Sequence, residues 1–404
     1  MNAPQPVHSL CRSSAPYQIE VGGVLTPTEI RRSTHIITVF PTGEWKIWPS
    51  GEPGQVRPVA ARLPHVLAAP ALYDAHVHLH PAVGLAAYVT YGVGRIRDLG
   101  SHAGAGQEVP AARDCADPVP EIVLGGPLLD RPGKPRLPFA APWNEPADLP
   151  AVFDAAIGRG ASWIKLYERF PAALFDTAVQ QAHARSLRVT VHPAPGDYLT
   201  AVQAGVDELQ HLACLTPRGD GTRGTHALLR RWALREPHDS WPQLPSGTAV
   251  CPTLLVQLQL VREAERGWSF TNHDPQIAQF WRKWPIASRL WTEEELAAGR
   301  NATTHLSAAI NRLSRAGVRW VIGSDTPNPG LRAGQSMWEE MNLLILAGLD
   351  LVMVYRLAAV ASGLDSVGSH PLTFLPLSSF NSSIFPVQPP AATLLRGCLF
   401  LSSR

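Results

Sequence analysis

Two hydrophobic rhythms divide the chain. Between residues 17 and 68, short β-rich runs alternate with turn residues: YQIEV from Tyr17, THIITVF from Thr34 and WKIWPSG from Trp45. Pro41, Thr42 and Gly43 separate the second and third runs, a composition suited to a hairpin turn. From Ala71 onward, apolar strand-like runs alternate with helix-like stretches. Strands are predicted at 71–77, 92–98, 120–125, 161–167, 187–192, 205–211, 247–254 and 317–324. Helical patterns such as PADLPAVFDAAIGRG and PAALFDTAVQQAHARS lie between most of them. Eight strands with helical crossovers over roughly 290 residues predict an α/β fold, a (β/α)8 TIM barrel. A doubly wound open sheet shares the alternation, but no glycine-rich phosphate fingerprint follows the first strand.

The rhythm stops near the C-terminus. From Ser366 to Ala392 there is no Asp, Glu, Lys or Arg, and SHPLTFLPLSSFNSSIFPVQPPAATLL shows neither a period of 2 nor one of 3.6. This stretch is expected to be irregular. The chain is therefore divided into a β-rich segment over 1–68, a barrel over 69–363 and a charge-poor tail over 364–404. The first is expected to be a small, incomplete β-domain.

Composition narrows the functional classes. A net charge of +2 gives no pull toward nucleic acid or an anionic membrane. The five cysteines (11, 115, 214, 251 and 398) form no CxxC pair, which reads as reduced, cytoplasmic cysteine. The first 21 residues lack the apolar core of a secretory signal. The apolar segment from Leu343 carries Asp350 and Arg356 and is interrupted at Gly348-Leu349-Asp350, so two short helices are expected rather than a membrane span.

Candidate chemistry gathers at strand ends. YDAHVHLH, from Tyr73, ends an apolar run with alternating imidazoles. His76 and His78 share one face of a strand, and imidazole nitrogen binds zinc and similar ions. Taken alone, the pair is equally two satisfied polar side chains at a strand end; His80 falls beyond the expected end. Lys165 lies in ASWIKLYERF, on one face with Trp163 and Tyr167. An ammonium inside a barrel is costly unless it is paired, or unless the neutral amine reacts with CO2 to give a carbamate. Lysine snorkelling out of the strand end is the competing reading. His192 ends LRVTVH, His211 ends GVDELQH, and Asp325 follows RWVIGS, where a turn-forming aspartate is the plainer alternative. Together the six sit at the ends of the first, fourth, fifth, sixth and eighth predicted strands. In a (β/α)8 barrel those ends meet on the rim that carries active sites. Tyr167 reads as a packing aromatic, His102 as a loop histidine, Cys251 as a small core residue, and Arg223, Arg230 and Arg231 as surface cations.

These motifs resemble those of the metal-dependent amidohydrolase superfamily, in its imidazolonepropionase-like and prolidase-like branch. LYDAHVH, GRIRDLG, IKLY, VTVH, GVDELQH and GSD follow that family's order and spacing over 71–360. The resemblance implies two divalent metal ions, zinc foremost, with His76, His78 and Asp325 on one and His192 and His211 on the other. It implies an N6-carboxylated Lys165 shared between them, and hydrolysis of C–N bonds (amide, peptide or cyclic amide) by a hydroxide held between the metals, with Asp325 as proton shuttle. The substrate would be a small molecule, with no nucleic acid or membrane partner; a homo-oligomer is compatible with this reading. The family's returning segment, of the form GxIxxGxxADLVxLD, has no counterpart here, which predicts a disrupted C-terminus that leaves the 17–68 strands with an exposed edge. A catalytically silent, metal- or ligand-binding relative is the alternative.

Overall fold

The computed structural model describes residues 8–10, 14–49, 59–80, 83–101, 118–133, 140–216, 225–233, 243–270, 275–283, 287 and 289–402. The alternation from residue 71 folds as a parallel sheet of eight strands among the described residues: β1 (Leu72–Val77), β2 (Val93–Asp98), β3 (Glu121–Leu129), β4 (Trp163–Leu166), β5 (Arg188–Val191), β6 (Glu208–Gln210), β7 (Ala249–Cys251) and β8 (Arg319–Trp320). Each pairs in parallel with the next in sequence. The chain beyond β8 returns to β1: Ala75 N donates to Ile322 O, Asp325 N to His76 O and His78 N to Thr326 O, at 3.0, 2.7 and 2.7 Å. A parallel bridge between Val77 and Thr326 completes the closure. The (β/α)8 expectation therefore holds.

The outer layer is helical: α1 (Ala86–Thr90), α2 (Leu149–Gly158), α3 (Phe175–His183), α4 (Tyr198–Gln203), α5 (Thr225–Ala233), α6 (Leu254–Glu265), α7 (Pro275–Arg282), α8 (Glu293–Arg315), α9 (Gln335–Leu346) and α10 (Leu351–Ala358). β4, buried on both faces, reads as an unbroken apolar run apart from Lys165, as parallel barrel strands do. α8 starts on a capping box, with Thr292 and Glu295 satisfying each other's backbone N–H. The apolar segment from Leu343 breaks as expected. Gly348 has φ +101°, and the Asp350 side chain caps α10 through Met353 N at 2.8 Å. Among the described residues no helix is long and apolar enough to cross a membrane.

The second sheet corrects one expectation. The predicted hairpin forms between His35–Val39 and Trp45–Pro49, Tyr17–Leu25 pairs antiparallel with the first of these, and Val59–Pro70 runs parallel to Tyr17–Leu25. The tail does not stay irregular. Leu372–Pro376 pairs antiparallel with Val59–Pro70, and Ala392–Leu395 and Cys398–Leu401 continue the sheet as a hairpin. Arg396 and Gly397, both at positive φ, make its two-residue turn. The chain therefore returns to the N-terminal strands, and, against the expected exposed edge of the 17–68 strands, Leu372–Pro376 covers Val59–Pro70. Leu372, Phe374, Leu394 and Leu399 are buried with Ile19, Ile37 and Trp45 in this sheet's own core. The absence of charge that made the segment look unstructured is what such burial requires.

Candidate metal centre

The six predicted residues reach one rim through local backbone devices. His76 lies within β1 and His78 just beyond it. Alternation and the hydrogen bonds to Thr326 and from Asp325 fix both. Lys165 is the third residue of β4 and is 0% exposed. His192 follows β5, its N–H donating to Leu166 O at 2.8 Å. His211 and Asp325 leave β6 and the last barrel segment in left-handed backbone, with φ +63° and +61°. Gly323 allows the last approach: a Cβ there would stand 2.5 Å from both the backbone nitrogen and the Cβ of His76.

The side chains form a continuous chain of contacts. His76 Nε2, His78 Nε2 and Asp325 Oδ1 make a triangle whose three edges are all 3.3 Å. Lys165 Nζ lies 3.0 Å from His76 Nε2, and His211 Nδ1 lies 3.7 Å from Asp325 Oδ2. The rings of His192 and His211 are 4.2 Å apart between centroids, and those of His76 and His211 5.0 Å. Among the described residues, His76, His78 and Asp325 are the set of three whose donor atoms converge closely enough for one ion.

Electrostatics suit a cation more than a proton. Burial drives the His76 and His211 imidazoles well below their ordinary pKa. Lys165 lowers His76 further, and His192 and Lys165 lower His211. Both rings are thus neutral and keep a lone pair. Burial also brings Lys165 down to about 8, against the opposing pull of Asp325. His78 Nδ1 donates to Gly100 O at 2.5 Å, which leaves its Nε2 as an acceptor facing the triangle. Asp325 Oδ1 is buried and accepts no hydrogen bond, although two imidazole nitrogens stand beside it. A cation bonded at about 2.0–2.1 Å with tetrahedral angles separates its ligand atoms by about 3.3–3.4 Å, the edge of this triangle. The donor set fits a divalent metal.

No family model matches the chain. Uncharacterized proteins of Mycobacterium tuberculosis and Mycobacterium bovis are each 28% identical over 212 residues, which is 46% of this chain and 50% of theirs. The chain thus spans half the length of the curated relatives it matches. Among solved structures, a bottromycin amidohydrolase aligns over 98% of this chain and 87% of its own, with TM-score 0.69 and 20% identity. A Xaa-Pro dipeptidase with methionine bound in its active site aligns over 96% and 100%, with TM-score 0.64 and 15% identity. An Aspergillus niger ochratoxinase aligns over 96% of each chain, with TM-score 0.61 and 16% identity. The chain shares the fold of these three structures. The alignments cover 96–98% of this chain and so take in both the barrel and the smaller sheet.

Two residues at the centre belong to no sequence motif: Thr253 Oγ1 lies 2.8 Å from His211 Nδ1 and Cys214 Sγ 3.3 Å from His192 Nε2, while Gly100 O, at the end of GRIRDLG, receives His78. Tyr167, read as a packing aromatic, meets His192 edge-on with centroids 4.8 Å apart. Cys251 is fully buried, as a core residue should be. Arg230 pairs with Glu294 at the start of α8. His102, Arg223, Cys11 and Cys115 lie outside the described residues.

Proposed function

We propose that the chain is a metal-dependent hydrolase of C–N bonds in small amide, peptide or cyclic-amide substrates. The observation that carries this reading is the 3.3 Å triangle of His76 Nε2, His78 Nε2 and Asp325 Oδ1, beside a buried lysine whose pKa burial lowers to about 8. These three residues would hold one divalent ion, zinc foremost, and His192 and His211 a second. When bound, such ions polarise a substrate carbonyl and lower the pKa of a water at the site.

The chain's own residues supply the remainder. Lys165 Nζ, 3.0 Å from His76 Nε2, competes as a donor for the lone pair a cation would use. Reaction of its neutral amine with CO2 forms an N–C bond, releases one proton and leaves a carbamate. That would convert a competing donor into an anionic acceptor able to help hold a cation. Asp325 offers Oδ1 to the triangle and keeps Oδ2 toward His211, so it can take a proton from the attacking water and pass it to the leaving nitrogen.

Metal analysis of the purified protein, joined to a hydrolysis screen of N-acyl amino acids, dipeptides and cyclic amides with defined divalent ions, tests the proposal. Bound metal with metal-dependent turnover supports it. Neither metal uptake nor turnover would instead assign the chain to the silent relatives.

A further inference from the structure

Thr253 is strained in a way that points to work. It is 0% exposed, β-branched, and held at φ +46°, a left-handed conformation that such residues rarely adopt. It precedes α6, yet its hydroxyl does not cap that helix. The cap comes from elsewhere. Glu340, on α9 and also 0% exposed, accepts from Leu254 N at 2.9 Å and from Leu255 N at 2.7 Å with its two carboxylate oxygens. Those are orphan donors of the first turn of α6, satisfied across 86 and 85 residues of chain. On the other side, His211 N donates to Cys251 O and Leu212 N to Pro252 O, which ties the end of β6 to the same loop. Freed from capping, the Thr253 hydroxyl turns to His211 Nδ1 at 2.8 Å.

We propose that Thr253 and Glu340 are positioning residues for the candidate metal centre: Glu340 clamps the start of α6 so that Thr253 stays left-handed, and Thr253 holds the His211 proton on Nδ1. Nδ1 faces two oxygens, Thr253 Oγ1 at 2.8 Å and Asp325 Oδ2 at 3.7 Å. The carboxylate can only accept and the hydroxyl is able to, so together they accommodate a hydrogen on that nitrogen, which leaves Nε2 with the lone pair. The hydrogen bond on one ring nitrogen sets what the other can bind. Left-handed residues at 211, 253 and 325 thus lie side by side at the ends of three consecutive barrel segments, and the two hydrogen bonds to Glu340 supply part of the constraint that keeps one of them there. Where it concerns metal affinity, this inference rests on the hydrolase reading above; where it concerns the tautomer, it does not.

The test uses the full-length, metal-free protein labelled with 15N-histidine, and the variants Thr253→Val, Thr253→Ser and Glu340→Gln. Valine keeps the shape and removes the hydroxyl; serine restores it. Long-range 1H–15N correlation spectra should show wild-type His211 protonated at Nδ1, lost in Thr253→Val and regained in Thr253→Ser. Glu340→Gln, which can accept only one of the two N–H groups, should broaden or split the His211 signals. Zinc dissociation constants, measured by competition with a chromophoric chelator, should rise about 10- to 100-fold in Thr253→Val and recover in Thr253→Ser. His211 protonated at Nε2 in the wild type, or an unchanged tautomer with unchanged zinc affinity in Thr253→Val, overturns the proposal. A wild-type protein that takes up no zinc overturns the metal reading instead, and the spectra still decide the positioning.

Discussion

Asn342 and Phe385 are joined by two hydrogen bonds across 43 residues: the side-chain amide donates to Phe385 O at 2.9 Å and accepts from Phe385 N at 2.8 Å. One asparagine on α9 thereby satisfies both backbone groups of a residue in the charge-free tail. The Phe385 ring packs with Trp338, Tyr355 and Phe380, at centroid distances of 5.4 to 5.8 Å. This anchor holds the tail against the barrel between two of its sheet strands, Leu372–Pro376 and Ala392–Leu395.

Asn342→Ala should therefore destabilise the protein by about 2–4 kcal/mol, because two buried backbone groups lose their partners at once. Phe385→Ala should cost about 3–5 kcal/mol through the cavity it leaves. Urea denaturation measures both. If the two variants unfold at the wild-type midpoint, the tail is not an integral part of the fold.

Gly323 is where the barrel closes most tightly. Gly323→Ala would place a methyl group against the backbone and Cβ of His76. The expected result is a loss of about 1–3 kcal/mol from overpacking, together with weaker zinc binding as β1 is pushed from Asp325. A variant with wild-type stability and zinc affinity would show that the approach is looser than the structure has it.

The site was more legible in the sequence than the tail, for a physical reason. Strand ends in a parallel barrel converge whatever lies between them, so His76, Lys165, His192, His211 and Asp325 could be placed on one rim from their positions alone. Thr253 and Cys214 could not. Their partners are 42 and 22 residues away, and no periodicity records a contact between the ends of neighbouring strands. Glu340 was hidden similarly, since a helix capped from another helix leaves no local signature. The tail was misread because Leu372–Pro376 and Ala392–Leu395 are almost wholly buried, so they lack the alternation that marks a half-exposed strand. Their hairpin turns on Arg396-Gly397 instead of the more conspicuous Asn-Gly or Asp-Gly.

Stability should respond to pH through two buried carboxyls. Burial raises Glu340 from 4.5 to about 7, against the two backbone N–H groups that favour its ionised form. Burial raises Asp74 from 3.8 to about 7, against its hydrogen bonds from Ser324 and His76. A group that holds its proton more tightly when folded contributes stability below its unfolded pKa and loses it as pH rises through the folded value. Stability should therefore fall between about pH 4 and pH 7 and level off above. A tenfold tighter hold on one proton corresponds to about 1.4 kcal/mol. In Glu340→Gln the slope over this window should be shallower, whatever the variant's absolute stability. Denaturation midpoints at pH 5 and pH 7.5 check this, and an equal slope in wild type and variant refutes the assignment to Glu340.

Asp325→Asn separates holding a cation from moving a proton. The amide keeps an oxygen for the triangle with His76 and His78, so metal content should remain measurable, although binding weakens with the loss of charge. Its second position becomes an NH2 group that cannot accept a proton from water. Turnover on whichever amide the wild type cleaves should drop about 10²- to 10⁴-fold, the range for losing a general base. His78→Ala should act differently, lowering metal content and activity together because it removes a corner of the triangle. The comparison needs only metal analysis and kcat on the same preparations. Parent-like turnover in Asp325→Asn would remove the proton-transfer role from this aspartate and leave it as a cation holder alone.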